Sequence, residues 1–504
     1  MGSLTSIPAH GLTTPHYDVV VIGGGINGTG IAADLAGRGL SVALFEADDL
    51  GCATSSASSK LLHGGLRYLE HYEFRLVREA LAEREILLAR APYLARGLRF
   101  RLPYRAQLRP AWLIRIGLFL YDHLAKRISL PASHGIHFHP EDGLNANVVR
   151  GFEYSDALVD DARLVVLNAL AAHERGGHIA THTACNRATR HGNHWQLELR
   201  TQPEGQARAV TCTALVNATG PWVQNWFETA LQAPSPRRIR LIKGSHIVVP
   251  RLHPGPEAYL LQHIDRRVVF VLPFLEHYSL IGTTDVEYQG DLRQVVISDD
   301  EIQYLCQVVN GYFRQPITPQ DVVWSYAGVR PLCDDESSAP QAITRDYTLS
   351  VQDRDGKAPL LSVFGGKLTT FRKLAEAASH QLAPYFPAMG PDWSAQQLLP
   401  GGDSVPLATL IQEYQHHAPW LDRAQATRVA TAYGTRARLW LPQKPVRLFG
   451  GCLAQEEVDY LVQHEWARSA DDILWRRSKL GLQFPVPARA ELEAYLAAQS
   501  QELS

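Results

Sequence analysis

The chain opens on a sharp alternation between apolar runs and glycine punctuation. Asp18-Val19-Val20-Val21-Ile22 is a β-branched run of the kind that fills a buried parallel strand. Gly23, Gly24 and Gly25 stop it, and Ile26 to Arg38 carries helical character with small residues at Gly28, Gly30, Ala32 and Ala33. Gly39 ends that helix, and Leu40 to Phe45 is a second strand closing on Glu46. Further along, residues 73–91 and 160–175 predict helices, and short alternating strands are expected at 193–200, 208–217, 245–250, 267–272 and 278–282. Two more apolar strands end in glycine-bearing turns: Ala214–Asn217 before Ala218-Thr219-Gly220, and Leu360–Phe364 before Gly365-Gly366-Lys367, with a helix expected from Thr369. The segment 92–150 is rich in Pro, His and Arg and shows no strong period, whereas 405–500 is helical in pattern.

Composition narrows the class. At 504 residues, 45% hydrophobic, the chain predicts two to four domains with ample core. A formal net charge of −2 argues against a nucleic-acid partner, which calls for a basic surplus. The six cysteines form no CxxC pair, so neither a metal site nor a redox dithiol is expected, and a reducing compartment suits them. No signal peptide and no membrane-spanning run are expected.

The chemistry begins at Gly23-x-Gly25-x-x-Gly28. It follows a strand and opens a helix, with Glu46 at the end of the next strand. In that context Gly23 permits the tight turn, Gly25 lets the backbone approach a pyrophosphate, and Gly28 lets helix press on strand. The pyrophosphate then faces the helix N-terminus, beside Ile26 and Asn27, and Glu46 meets a ribose diol. No second such motif follows, so a nicotinamide reductant is not expected. The Ala218-Thr219-Gly220 turn resembles two-domain flavoproteins, in which this loop returns to the dinucleotide. FAD is therefore the expected cofactor. Electrons then enter from an organic substrate and leave to an external acceptor.

Several segments carry a closer resemblance: Thr54–Lys60, His63–Glu70, Ile242–His246, Ile281–Asp285, Gly328–Leu332, Thr344–Tyr347 and Phe364–Thr370. Together the chain resembles the FAD-dependent, respiratory sn-glycerol-3-phosphate dehydrogenases, of the D-amino-acid-oxidase-like flavoproteins. The likeness is dense to about residue 385 and thinner beyond. It implies an α/β fold, α+β overall: a Rossmann-like FAD-binding domain (about 15–90, 150–245 and 325–385), a β-rich substrate-capping domain (about 91–149 and 246–324), and an all-helical C-terminal domain (386–504). It implies hydride transfer from C2 of glycerol 3-phosphate to flavin N5, electrons passing to a membrane quinone. It also implies a peripheral protein, often a homodimer, on the cytoplasmic side of an inner membrane. The alternative is another oxidase of this fold, acting on an amine or amino acid with oxygen as acceptor.

Such chemistry requires a phosphate clamp, a base for the C2 hydroxyl, and N5 in line with the C2 hydrogen. The resemblance places Arg67, Arg330 and Lys367 near substrate, with Tyr68 and Arg345 as further candidates; Asp346 offers Arg345 a structural pairing instead. Lys367 and His246 are rival bases, and Lys367 beside the flavin would also stabilise its anionic reduced form. Ser55, Ser59 and Lys60 suit the pyrophosphate or ribitol, unless they cap the next helix. His63, Gly64, Gly65, Gly366, Leu368 and Thr369 are expected beside the cofactor, with Ala218 and Gly220. Trp112–Tyr121, followed by Lys126-Arg127, reads either as a lipid-facing helix or as a core helix of the capping domain.

Overall fold

The computed structural model describes residues 14–202, 205–265, 267–334 and 346–502. Strand β1 (His16–Ile22), helix α1 (Ile26–Gly37) and strand β2 (Val42–Phe45) form the expected opening unit. β1 is central in its sheet because its four final residues are buried on both faces. It pairs in parallel with β2 on one side and with Ala207–Asn217 on the other, Ile22 opposite both Phe45 and Asn217. Lys357–Phe364 extends the sheet beyond Ala207–Asn217, and His178–Ala180 extends it beyond β2. Three strand ends therefore bring Gly23, Ala218 and Gly365 to one edge of the sheet. One face is covered by α1, α4 (Asp161–His173) and the helix Phe371–Leu382. The other is covered by the hairpin Thr183–Thr201 and the helix Val223–Thr229.

A second sheet stands over that edge. Its order runs Ile239–Pro250, Tyr278–Gly282, Val268–Phe274, Ala258–Gln262, Ala95–Pro103, Arg150–Val159, with Trp324–Cys333 along the far side of Ile239–Pro250. Arg150–Val159 and Trp324–Cys333, expected with the cofactor-binding segments, thus hydrogen-bond into the second sheet. The nine-residue strand Ala95–Pro103 lies where no period was expected. It does alternate: Leu98, Phe100 and Leu102 are buried, while Arg99 and Arg101 pair with Glu153 on the adjacent strand. Arginine on the second face hides such a strand, because its charge is neutralised across the ladder and not by solvent.

Between those strands α2 (Phe74–Arg90) and α3 (Ala111–His123) cover the sheet. The C-terminal region has its own core, built on Leu407–His417, Arg423–Tyr433, Gln455–Glu465 and Val486–Glu502, plus one short hairpin at Leu448–Phe449 and Leu453–Ala454.

Candidate active site

A cavity of about 470 Å³ runs between the two sheets. One end is made almost wholly of backbone. Gly23 has φ +110°, and a Cβ there would lie 2.4 Å from the Ala218 carbonyl oxygen. At Gly28 a Cβ would lie 1.9 Å from the Gly23 oxygen, so only glycine brings α1 this close to β1. Gly25 is the N-cap of α1 and has no side chain with which to cap it. The Ile26 N–H donates to Ser55 Oγ at 3.0 Å. Such a helix end presents unsatisfied N–H groups and a partial positive charge to an anion.

Glu46 closes this end. Its two oxygens accept from the N–H groups of Gly24 (2.5 Å) and Asp48 (2.9 Å). Burial, reinforced by Asp48 and Asp49, nevertheless raises its pKa. Beyond it, Thr183, Cys185, Asn225 and Trp226 line the cavity, and the buried Trp226 Nε1–H finds no acceptor among the described residues. None of these four was singled out in the sequence, and no local pattern marks them, because the hairpin and helix that carry them are ordinary. Asn27 donates to the Gly365 carbonyl at 3.1 Å while its buried Oδ1 lacks a partner. Ala218, Gly220, Gly366 and Leu368 also line the cavity, Gly366 at φ +105°. Thr369 ties its Oγ to the backbone of His63, which lines the same wall together with Gly65. Glycine approaches, a helix N-terminus, an acid at the ribose position and two orphaned polar atoms fit a dinucleotide cofactor.

The other end is made of side chains from distant strands. In the second sheet Ile242, Gly244 and His246 lie opposite Arg330, Gly328 and Tyr326. Successive residues alternate faces, so all six share one face. His246 and Arg330 reach the cavity because the residues between them are glycine: a Cβ at Gly244 would lie 2.0 Å from Arg330 Nη2, and one at Gly328 would lie 2.7 Å from the Ala57 Cβ. Arg330 is held by Asp285, by Thr283 Oγ1 at 3.0 Å and by the Thr284 carbonyl at 3.3 Å. Asp285 and the two glycines belong to the quoted motifs, yet their supporting roles emerge only from the register. Lys367 sits over the Tyr68 ring, 4.0 Å from its centroid, and Arg67 lines the same end. Arg345 lies outside the described residues.

His246 is buried, stacked on Tyr326 with ring centroids 4.8 Å apart, and its Nε2 shares a hydrogen bond with Ser59 Oγ at 2.8 Å. Burial, then the cations of Lys60 and Arg330, lower its pKa to about 3, so the ring is neutral near pH 7.

Two expected cofactor contacts are committed elsewhere. Lys60 Nζ donates to Asp161 at 2.8 and 3.0 Å, turned away by the pull of a fully buried carboxylate. The Gly64 N–H donates to Tyr121 Oη at 2.7 Å, and that hydroxyl donates to Asp156. Ser55 and Ser59 do line the cavity.

Fold and cavity together define a flavoprotein oxidoreductase, and comparison with known proteins agrees. Residues 18–372 match the family model for FAD dependent oxidoreductases, and residues 393–504 match the C-terminal domain of alpha-glycerophosphate oxidase. The chain is 56% identical to a glycerol-3-phosphate dehydrogenase of Pseudomonas aeruginosa, over 96% of this chain and 95% of that one. It is 53% identical to an aerobic glycerol-3-phosphate dehydrogenase of Escherichia coli K12, over 96% and 98%. It is also 47% identical to a D-erythritol 1-phosphate dehydrogenase of Brucella abortus, over 94% and 96%. The fold matches that of an FAD-bound glycerol-3-phosphate dehydrogenase from Bacillus halodurans, with TM-score 0.71, 23% identity and coverage of 96% and 94%. The chain belongs to the glycerol-3-phosphate dehydrogenase family of FAD-dependent oxidoreductases.

Proposed function

We propose that the chain oxidises sn-glycerol 3-phosphate at C2 to dihydroxyacetone phosphate and passes the electrons to a membrane quinone. Bound FAD supplies the hydride acceptor, N5. The observation that carries the substrate reading is the charge at the far end of the cavity. Arg67, Arg330 and Lys367 all line it, with Asp285 bound to Arg330, and guanidinium and ammonium groups gathered in one wall suit a phosphate dianion. Arg330 presents a fixed fork, because Thr283, Thr284 and Asp285 hold the guanidinium from one side. Tyr68 underlies the Lys367 ammonium and fixes its place. His246, neutral and anchored by Ser59, stands ready to accept a hydrogen bond from the C2 hydroxyl, and Lys367 is the alternative acceptor of its proton once deprotonated.

The membrane reading is supported by α3. Ile114, Leu118 and Tyr121 are buried, while Trp112, Leu113, Ile116 and Phe119 are exposed, Trp112 by 66%. Lys126 and Arg127 follow at its end. One face of the helix is core, and the other has the exposed apolar side chains that a lipid-facing helix requires. Among the described residues no helix is long and apolar enough to cross a membrane. A surface of that kind rests on lipid, with its cations at the headgroups.

The test is anaerobic. Glycerol 3-phosphate should bleach the bound flavin, and a soluble quinone should restore its colour. Faster bleaching by erythritol 1-phosphate would redirect the substrate reading to a four-carbon polyol. Bleaching by neither, but by an amino acid, would overturn it. Reoxidation by oxygen and not by quinone would overturn the acceptor.

A further inference from the structure

The C-terminal region is held to the cofactor cavity by buried charge, at a place where the cavity wall has no regular structure. Between β2 and the short turn at Thr54–Ser56 the chain is a loop, and Glu46, Asp48, Gly51, Cys52 and Ala53 of that loop all line the cavity. Its first residues are held by backbone bonds to 180–183: the Glu46 N–H donates to the Ala180 carbonyl (2.9 Å), and the Thr183 and His182 N–H groups donate to the Glu46 and Asp48 carbonyls (2.7 and 2.9 Å). Beyond Asp48 no such ladder continues, and the loop is fixed by the Gly51 N–H on the Gly24 carbonyl (3.0 Å) and by Asp49.

Asp49 is 2% exposed and its partners come from the π-helical turn Asp472–Arg477. Arg477, fully buried, binds both of its oxygens at 2.7 Å. Arg476 binds it at 2.5 Å and is itself steered by Asp472. A π-turn adds a residue to the helical repeat and so rotates consecutive side chains. Here two adjacent arginines converge on one carboxylate, a geometry an α-helix of the same sequence would splay. A second arm runs from Lys479 to Asp160 at 3.2 Å and, through Asp161, to Ser58 and Lys60, next to the Ser59 that anchors His246. The turn is in turn tied to α4, because Glu465 receives both Arg163 and a long contact from Arg477.

We infer that the turn Asp472–Arg477 is a positioning element for the FAD-binding loop, with Arg476 and Arg477 setting Asp49 and hence the Glu46 carboxylate and the Gly51–Gly24 bond that shape the cavity wall. This goes beyond the substrate reading and rests only on FAD occupying the cavity. Its failure would leave glycerol 3-phosphate oxidation untouched.

The test uses the holoenzyme and reads FAD release at 25 °C as the rise of free-flavin fluorescence on dilution. Arg476→Gln keeps Arg477 on Asp49 and removes the more exposed arm. It should release FAD roughly tenfold faster, the equivalent of about 1.4 kcal/mol, with the unfolding midpoint of the protein little changed. Arg476→Lys should recover most of the difference. Arg428→Gln, which breaks the Arg428–Glu457 pair inside the C-terminal core, should lower the unfolding midpoint and leave FAD release as in the wild type. If Arg476→Gln does not fold, Asp49→Asn is read in the same assay with the same expectation. Wild-type FAD release from the folded variant would overturn the inference. So would equal acceleration by Arg428→Gln, which would make the effect one of general domain stability.

Discussion

The two ends of the cavity are built by different means. At the cofactor end the contacts are backbone: glycines at 23, 25 and 28, a helix N-terminus, and a carboxylate that accepts two N–H groups. At the substrate end they are side chains: an arginine held by Asp285, a lysine over a tyrosine, a histidine tied to a serine. A backbone site tolerates almost no added atom, since nothing around it can rotate away. A side-chain site tolerates change in volume but not in charge, because each group is held by a counter-charge or a hydrogen bond that survives its removal.

The largest effect should come from Gly28→Val. Its Cβ would overlap the Gly23 oxygen, and the protein should be purified without flavin, read as loss of absorbance near 450 nm. A yellow Gly28→Val variant would break the contrast. Arg330→Ala is expected next: kcat/KM for glycerol 3-phosphate down on the order of 10²- to 10³-fold, the equivalent of about 3–4 kcal/mol, with FAD content unchanged. Arg330→Lys should restore only part, for want of the fork. An unchanged rate would remove Arg330 from the site.

His246 sharpens the comparison through pH. Its folded pKa is lowered to about 3 by burial first and by Lys60 and Arg330 second. Between that value and an unfolded pKa near 6.5, the unfolded chain binds the extra proton, so stability rises with pH across this window and falls as acid is added. His246→Gln should therefore flatten stability against pH between about 6 and 4, by an amount on the order of a few kcal/mol. A parallel curve for wild type and variant would show the ring to be protonated in the folded state. The smallest effect belongs to the outer face of α3. The double substitution Trp112→Ser, Phe119→Ser should weaken binding to anionic vesicles about tenfold or more, by loss of apolar burial, and leave turnover with a soluble quinone unchanged. Wild-type co-sedimentation would clear α3 of that role.

The same contrast explains what was legible in the sequence. The cofactor end sits on one contiguous strand–turn–helix–strand unit, and a backbone site needs glycine at set spacings. Gly23, Gly25, Gly28 and Glu46 can therefore be read directly. The substrate end is assembled from residues near 67, 246, 285, 330 and 367, and only resemblance could bring them together in advance. Lys60 turns to Asp161, 101 positions away, and Gly64 to Tyr121, 57 positions away, and proximity in sequence to cofactor residues says nothing about either partner. The strand Ala95–Pro103 escaped notice because its arginines are satisfied by Glu153, so its polar face carries a charge that resembles a loop.

The β1 pairings carry one more consequence, and it concerns the order in which the molecule comes into being. β1 is made before its Ala207–Asn217 neighbour and before the Gly365–Thr369 wall, and the Asp49 clamp closes across 428 positions. A growing chain on the ribosome thus carries a glycine turn whose partners are not yet made. The full cradle exists only once the chain has grown past Arg477, and apolar β1 has to be shielded until then. Supply of FAD after that point, more than before it, should set how much of the newly made protein becomes active.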